Sequence, residues 1–287
     1  MAFMKTANAE IADLISLPSW EKMHGGRSFR HKTASTSKLA ADVSKYLLSH
    51  VTIMASVHCE DEPEDWKIRP EASIFCNQNQ DAWANPVLQM SYRTFVGAFN
   101  FVEHYQNSKA AKGHILDAVL RKVNITPTVW VYYCDLLVAT DLNHESLIAD
   151  IRSGKMKYLS MGCLTDLVIC SFCGARCTEA HTYCSHLLYH KGDFQFDEGG
   201  IPRRIAELCG HKSLPGGGVK FVEASWVGTP AFPGAAKRSI VLDEWVGPAS
   251  PYTHVAASHS GGILKAATVN LYRGGDPKLD AQFNKRF

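Results

Sequence analysis

Apolar and β-branched residues alternate with polar ones, or run together, in five stretches of the chain: residues 51–57, 99–102, 113–123, 128–138 and 219–227. Such runs, with side chains on alternate faces, read as β-strands. The last ends at Gly228-Thr-Pro230, a sequence that cannot continue a strand ladder. Two further stretches carry a helical period. In the first, Ser37 caps a helix with Leu39, Val43 and Leu47 on one face. In the second, Asn143 caps a helix whose buried face is Leu147, Ile148 and Ile151, with Gly154 ending it. Between Cys59 and Trp83 lies a long acidic and polar segment, read as a loop of functional length. The expected class is α+β, mostly β.

The organisation follows from where this patterning stops. Residues 1–34 include the basic, glycine-bearing run Lys22-Met-His-Gly-Gly-Arg-Ser-Phe-Arg-His-Lys32 without apolar period, and read as an N-terminal arm. Residues 35–235 hold the core, and 236–287, rich in Gly, Ser and Pro, read as a C-terminal tail. No internal repeat is visible. At 287 residues and 46% hydrophobic, the chain can bury one sizeable core. A net charge of +2 gives no global basic field, so nucleic acid is not an expected partner. No run approaches the roughly 20 apolar residues of a membrane span, and the first residues lack the apolar core of a secretory signal. No membrane association is expected, and the chain is expected to stay in the cytosol.

Cysteine changes the picture most. There are nine, and Cys163, Cys170, Cys173, Cys177 and Cys184 crowd into one stretch. An odd, clustered set suits a metal site in a reducing compartment better than a disulfide framework. Cys170-x2-Cys173 followed by Gly174 makes a tight turn, and Cys184-x-His186 can close a tetrahedron. Three thiolates and one imidazole form a closed site without a water position, so the expected cofactor is a structural zinc in a knuckle over residues 168–190. Cys177, His181 and His190 are substitutes at nearly the same reach.

Three residues carry candidate chemistry. His104 follows an apolar strand, a rigid mount for a group that titrates near neutrality. Ser160, in Leu159-Ser-Met-Gly162, reads as an exposed serine in a turn, inert without a base. Glu223 lies among Phe and Val, where a carboxylate needs a partner such as an imidazolium. Asp117, Asp135 and Asp141 are rival acids.

Taken in order, Tyr92-Arg-Thr-Phe-Val-Gly-Ala-Phe-Asn-Phe-Val-Glu-His104, Lys112-Gly-His-Ile-Leu-Asp-Ala118, residues 131–140, Ser160-Met-Gly-Cys163, the Cys-rich knuckle and Phe221-Val-Glu-Ala-Ser-Trp-Val-Gly-Thr-Pro-Ala231 resemble the prohead, or head maturation, serine proteases of tailed bacteriophages. The resemblance covers about residues 69–235. It implies an assemblin-like β-barrel core flanked by helices, with the zinc knuckle inserted. It implies Ser160 as nucleophile, His104 as general base and Glu223 as third member, with backbone amides near Met161 and Gly162 stabilising the oxyanion. It further implies scaffold and major capsid proteins as substrates, a homo-oligomer, and a location in the host cytoplasm within the prohead or virion.

A second class competes with the enzyme. A zinc-stabilised structural virion protein built on a protease-like fold needs the same core and knuckle, but no contact between Ser160 and His104. A nucleic-acid-binding zinc module is the weakest reading. Only Arg176, Lys191, Arg203 and Arg204 lie near the knuckle, without the stripe of basic and aromatic residues that would follow a strand.

Overall fold

A computed structural model describes residues 3–14, as backbone, and 45–228. The fold is α+β and mostly strand, as expected. Seven strands close a barrel in the order β1-β2-β6-β5-β4-β13-β7. These are β1 (Phe3–Leu14), β2 (Tyr46–Ala55), β4 (Phe99–Val102), β5 (Gly113–Asn124), β6 (Trp130–Asp141), β7 (Tyr158–Thr165) and β13 (Val219–Val227). Every neighbouring pair is antiparallel except β13 and β4.

The barrel's inside is the expected alternation made real. Val51, Ile53, Ile115, Ala118, Leu136, Val138, Leu159, Met161, Phe221, Ala224 and Trp226 pack into one buried cluster. Phe95 stacks on Phe221 at 4.2 Å between ring centroids. Each fully buried side chain of this size contributes about 1.5–3 kcal/mol. Residues one position away along a regular strand point to the opposite face, which carries Ser160 and Gly162 on β7.

On β13 the phase changes. Phe221 pairs with Cys163 and Glu223 with Gly162, a register shift of one residue. By simple alternation Glu223 would share the inward face of Phe221. The bulge instead turns Glu223 and Ser225 outward and returns Ala224 and Trp226 to the core.

A second sheet, β3-β12-β8-β9, is built from β3 (Asp81–Ala82), β8 (Val168–Cys170), β9 (Arg176–Cys177) and β12 (Glu207–Cys209). It covers its own apolar cluster, including Val57, Ile68, Phe75, Val131 and Leu208. A separate hairpin joins β10 (Phe194–Phe196) and β11 (Pro202–Arg204). Three short α-helices complete the described residues: α1 (Asn85–Ser91), α2 (Glu145–Arg152) and α3 (Ser185–Tyr189).

Several sequence expectations need correction. Phe3–Leu14, expected within the arm over 1–34, runs as β1 between β2 and β7. Leu47, assigned to a helix capped at Ser37, lies in β2. The rest of that helix, residues 15–34 of the arm and the tail from 236 lie outside the described residues. Helix α2 starts one residue later than expected, with His144 rather than Asn143 at the cap and no side-chain capping bond. The 59–83 segment is not one loop: it holds a 3-10 turn over Pro70–Phe75 and the strand β3.

Candidate active site and metal centre

Strand β4 ends at Val102, and Glu103 and His104 then adopt left-handed backbone, with φ of 49° and 56°. Such conformations are strained for residues with a side chain and persist where the surroundings fix them. Here the Glu103 amide donates to the Trp226 carbonyl at 2.8 Å, and the Gly228 amide donates to Glu103 Oε1 at 2.9 Å. The turn is thereby clamped to the end of β13. It aims His104 back along the sheet at Glu223, 119 residues away in sequence.

His104 Nδ1 lies 2.8 Å from Glu223 Oε1. An ionised carboxylate only accepts, so Nδ1 carries the proton and Nε2 is the free base position. Gln106 Nε2 donates to the same Oε1 at 2.6 Å, and Ser225 Oγ donates to Oε2 at 2.7 Å. Burial alone would raise the Glu223 carboxyl. Hydrogen bonds from His104, Ser225 and Gln106, with the His104 charge, outweigh it and hold the group below its ordinary range. Gly162 makes room for this carboxylate, since a Cβ at that position would sit 2.6 Å from Glu223 Oε1.

Ser160 occupies the same outward face of β7. It pairs in register with Ser225, next to the Gly162 and Glu223 pair. Directly opposed residues in an antiparallel pair bring their Cβ atoms within about 5.5 Å. Two expectations fail here. Ser160 is fully buried rather than exposed, and it lies in mid-strand rather than in a turn. Its Oγ has no hydrogen-bond partner, so no bond joins it to His104. Met161 and Gly162 also lie inside β7, paired to β1 and β13, which commits that backbone to the sheet ladder rather than to an oxyanion pocket.

The rival acids are engaged elsewhere. Arg93 donates to Asp117 at 2.8 Å, Thr52 to Asp135 at 2.7 Å, and Asp141 accepts from the Asn143 amide at 2.9 Å. Of the four acids considered, Glu223 is the one that meets His104. Gln106 and Ser225 escaped the sequence reading. Ser225 sits two residues from Glu223 on a strand, which places both on one face. Gln106 has no signal beyond following His104 by two.

The second cluster lies where β7 runs on into the small sheet. Cys170 on β8, Cys173 in the following turn, Cys184 before α3 and His186 on α3 place their ligand atoms within 4.8 Å of one another. The turn is tight because the Gly174 amide donates to the Cys170 carbonyl at 2.9 Å and Gly174 has φ +71°. A Cβ there would also meet the Trp66 ring at 2.6 Å. Cys173 and Cys184 sulfurs are 3.6 Å apart. Two thiolates on one tetrahedral zinc, each at about 2.3 Å, stand about 3.8 Å apart. His186 Nδ1 is buried with no hydrogen-bond partner. The donor set thus fits a metal ion. The substitute ligands are outside this four-donor group and have other partners: Cys177 Sγ contacts the Thr182 carbonyl at 3.2 Å, His181 pairs with Glu179 and His190 with Asp193.

No protein-family description, curated protein or solved structure matches the chain.

Proposed function

We propose that this chain is a serine endopeptidase of the phage prohead-protease kind, with an assemblin-like barrel, acting on scaffold and major capsid proteins during head maturation. One observation carries the reading. A histidine is bonded through Nδ1 to a buried carboxylate, and that carboxylate shares a barrel face with a serine whose hydroxyl is bonded to nothing. In the reaction, Nε2 of His104 takes the Ser160 proton as Oγ attacks a peptide carbonyl. The imidazolium, steadied by Glu223, then gives that proton to the departing amine. Water, deprotonated by the same base, releases the acyl group and regenerates the serine. The Cys170, Cys173, Cys184 and His186 set would hold zinc as a structural brace and supplies no step of this chemistry.

Co-expression with the neighbouring scaffold and capsid proteins, as wild type and as Ser160→Ala, tests the reading by intact mass. Shortened products with wild type alone are the expected result. One observation favours a second reading, a zinc-stabilised structural protein of the virion: Ser160 is fully buried and unbonded to His104. Intact partners with both chains, and full-length chain in the particles, would establish that reading in place of the first.

A further inference from the structure

We propose that Gln106 is a positioning residue: its side-chain amide shares Oε1 of Glu223 with His104 and so sets how strongly that oxygen draws on the imidazole. The inference rests on the endopeptidase reading and deepens it.

The geometry is specific. Two donors converge on one carboxylate oxygen, His104 Nδ1 at 2.8 Å and Gln106 Nε2 at 2.6 Å, while Ser225 holds the other oxygen at 2.7 Å. A carboxylate oxygen has two lone-pair directions in its plane, and on Oε1 both are taken. A second donor spreads the negative charge that His104 would otherwise face alone. It also disfavours transfer of the Nδ1 proton to Glu223, which keeps His104 in the tautomer that leaves Nε2 free. The titratable groups nearby are few. His104 faces the carboxylate directly, and Glu103 in the same turn is engaged by the Gly228 amide. Gly162 and Phe99 pair with Glu223 from β7 and β4 and carry no charge. Gln106 differs from the other two donors in being exposed at the surface, so it can be replaced without opening the core.

The direction of the effect follows from the depressed Glu223 carboxyl, whose stabilising bonds include this one. Gln106→Met keeps the length of the side chain and removes the donor. Gln106→Glu puts a second carboxylate against Oε1. Two readouts on the full-length chain are needed. The first is the Glu223 carboxyl titration, followed by carbon NMR of carboxyl-labelled protein and assigned with Glu223→Gln. The midpoint should rise by about one pH unit in Gln106→Met and further in Gln106→Glu. The second is the rate of Ser160 labelling by a fluorophosphonate at neutral pH, in which an Oγ–P bond forms, fluoride leaves and His104 takes the serine proton. That rate should fall about tenfold in Gln106→Met.

Equal midpoints in all three chains, with the folds intact by circular dichroism, would overturn the proposal. So would equal labelling rates in wild type and Gln106→Met where wild type does label. If wild-type Ser160 never labels while the midpoints rise in the stated order, the endopeptidase reading fails and the hold of Gln106 on Glu223 stands.

Discussion

The two clusters of chemistry in this chain are assembled in opposite ways. The metal-ligand set spans residues 170 to 186 and is gathered by one tight turn and one short helix. The His104 and Glu223 pair joins residues 119 positions apart and depends on β4 and β13 lying side by side in parallel register. In the first, a few local bonds bring like donors together and an external cation would supply the cohesion. In the second, the barrel supplies the cohesion and the donors are already satisfied by one another. The difference teaches where each site is vulnerable: one to loss of a ligand or an ion, the other to small displacements of a sheet.

Removing a ligand should have the largest effect. Cys184→Ala, or a strong chelator, should release one equivalent of zinc by mass spectrometry and unravel the knuckle. Binding of this kind contributes on the order of 10 kcal/mol to small zinc modules. If the knuckle keeps its circular dichroism and melting behaviour without metal, local packing holds it instead and the contrast with the barrel site disappears.

Glu223→Gln comes next. It keeps the shape of the side chain but exchanges the charge for an amide that no longer enforces the Nδ1–H tautomer. Fluorophosphonate labelling of Ser160 should drop by roughly 10³ to 10⁴, with melting changed far less. An unchanged rate would detach the carboxylate from the chemistry.

Gly162→Ala sharpens the point about small displacements. The added methyl would meet Glu223 Oε1 at 2.6 Å and Cγ at 2.8 Å, so the carboxylate must shift. The expected result is a loss of roughly tenfold to a hundredfold in labelling, of the kind an ångström of misplacement produces, and full retention of zinc. Loss of zinc in this variant would show the two sites to be coupled.

The smallest expected effect is on stability in acid. Glu223 titrates lower in the folded chain than the ordinary value of 4.5, so its contribution is fully present above that value. It is lost as pH falls through the lower folded midpoint. Urea midpoints of wild type and Glu223→Gln should therefore differ most above pH 4.5 and converge in stronger acid. A gap that widens as pH falls would reverse the sign.

Much of the barrel could be read from alternation alone. The stretches at 99–102, 113–123 and 219–227 became β4, β5 and β13 with boundaries within a residue, because half-buried strands leave a period of two in the chain. The cluster of Cys170, Cys173, Cys184 and His186 was equally plain, since the spacing of its donors is a local quantity. His104 and Glu223 were each a candidate on local grounds, but only the family resemblance put them in one site, because nothing local to either residue shows that they meet. Ser160 was misread for a physical reason: Ser, Met and Gly together look like a turn, while Leu159, Met161 and Cys163 are the inward residues of a strand. Strand β1 was hidden because its neighbours, β2 and β7, lie far along the chain. Gln106 could not be found by pattern, since a polar residue after a strand is ordinary until its partner is known.

The bulge between Phe221 and Glu223 has a consequence for how this protein can change over time. It works as a half-step in the strand's rhythm, and everything after it is read in the other phase. Deleting the single residue Val222 would take out the unpaired residue and leave Glu223 directly after Phe221, still opposite Gly162 and facing outward, with Trp226 still in the core. Descendants of this chain can therefore lose the bulge by a one-residue deletion here and keep both barrel and carboxylate, whereas a one-residue deletion at Ala224 would put Ser225 inside and Trp226 outside.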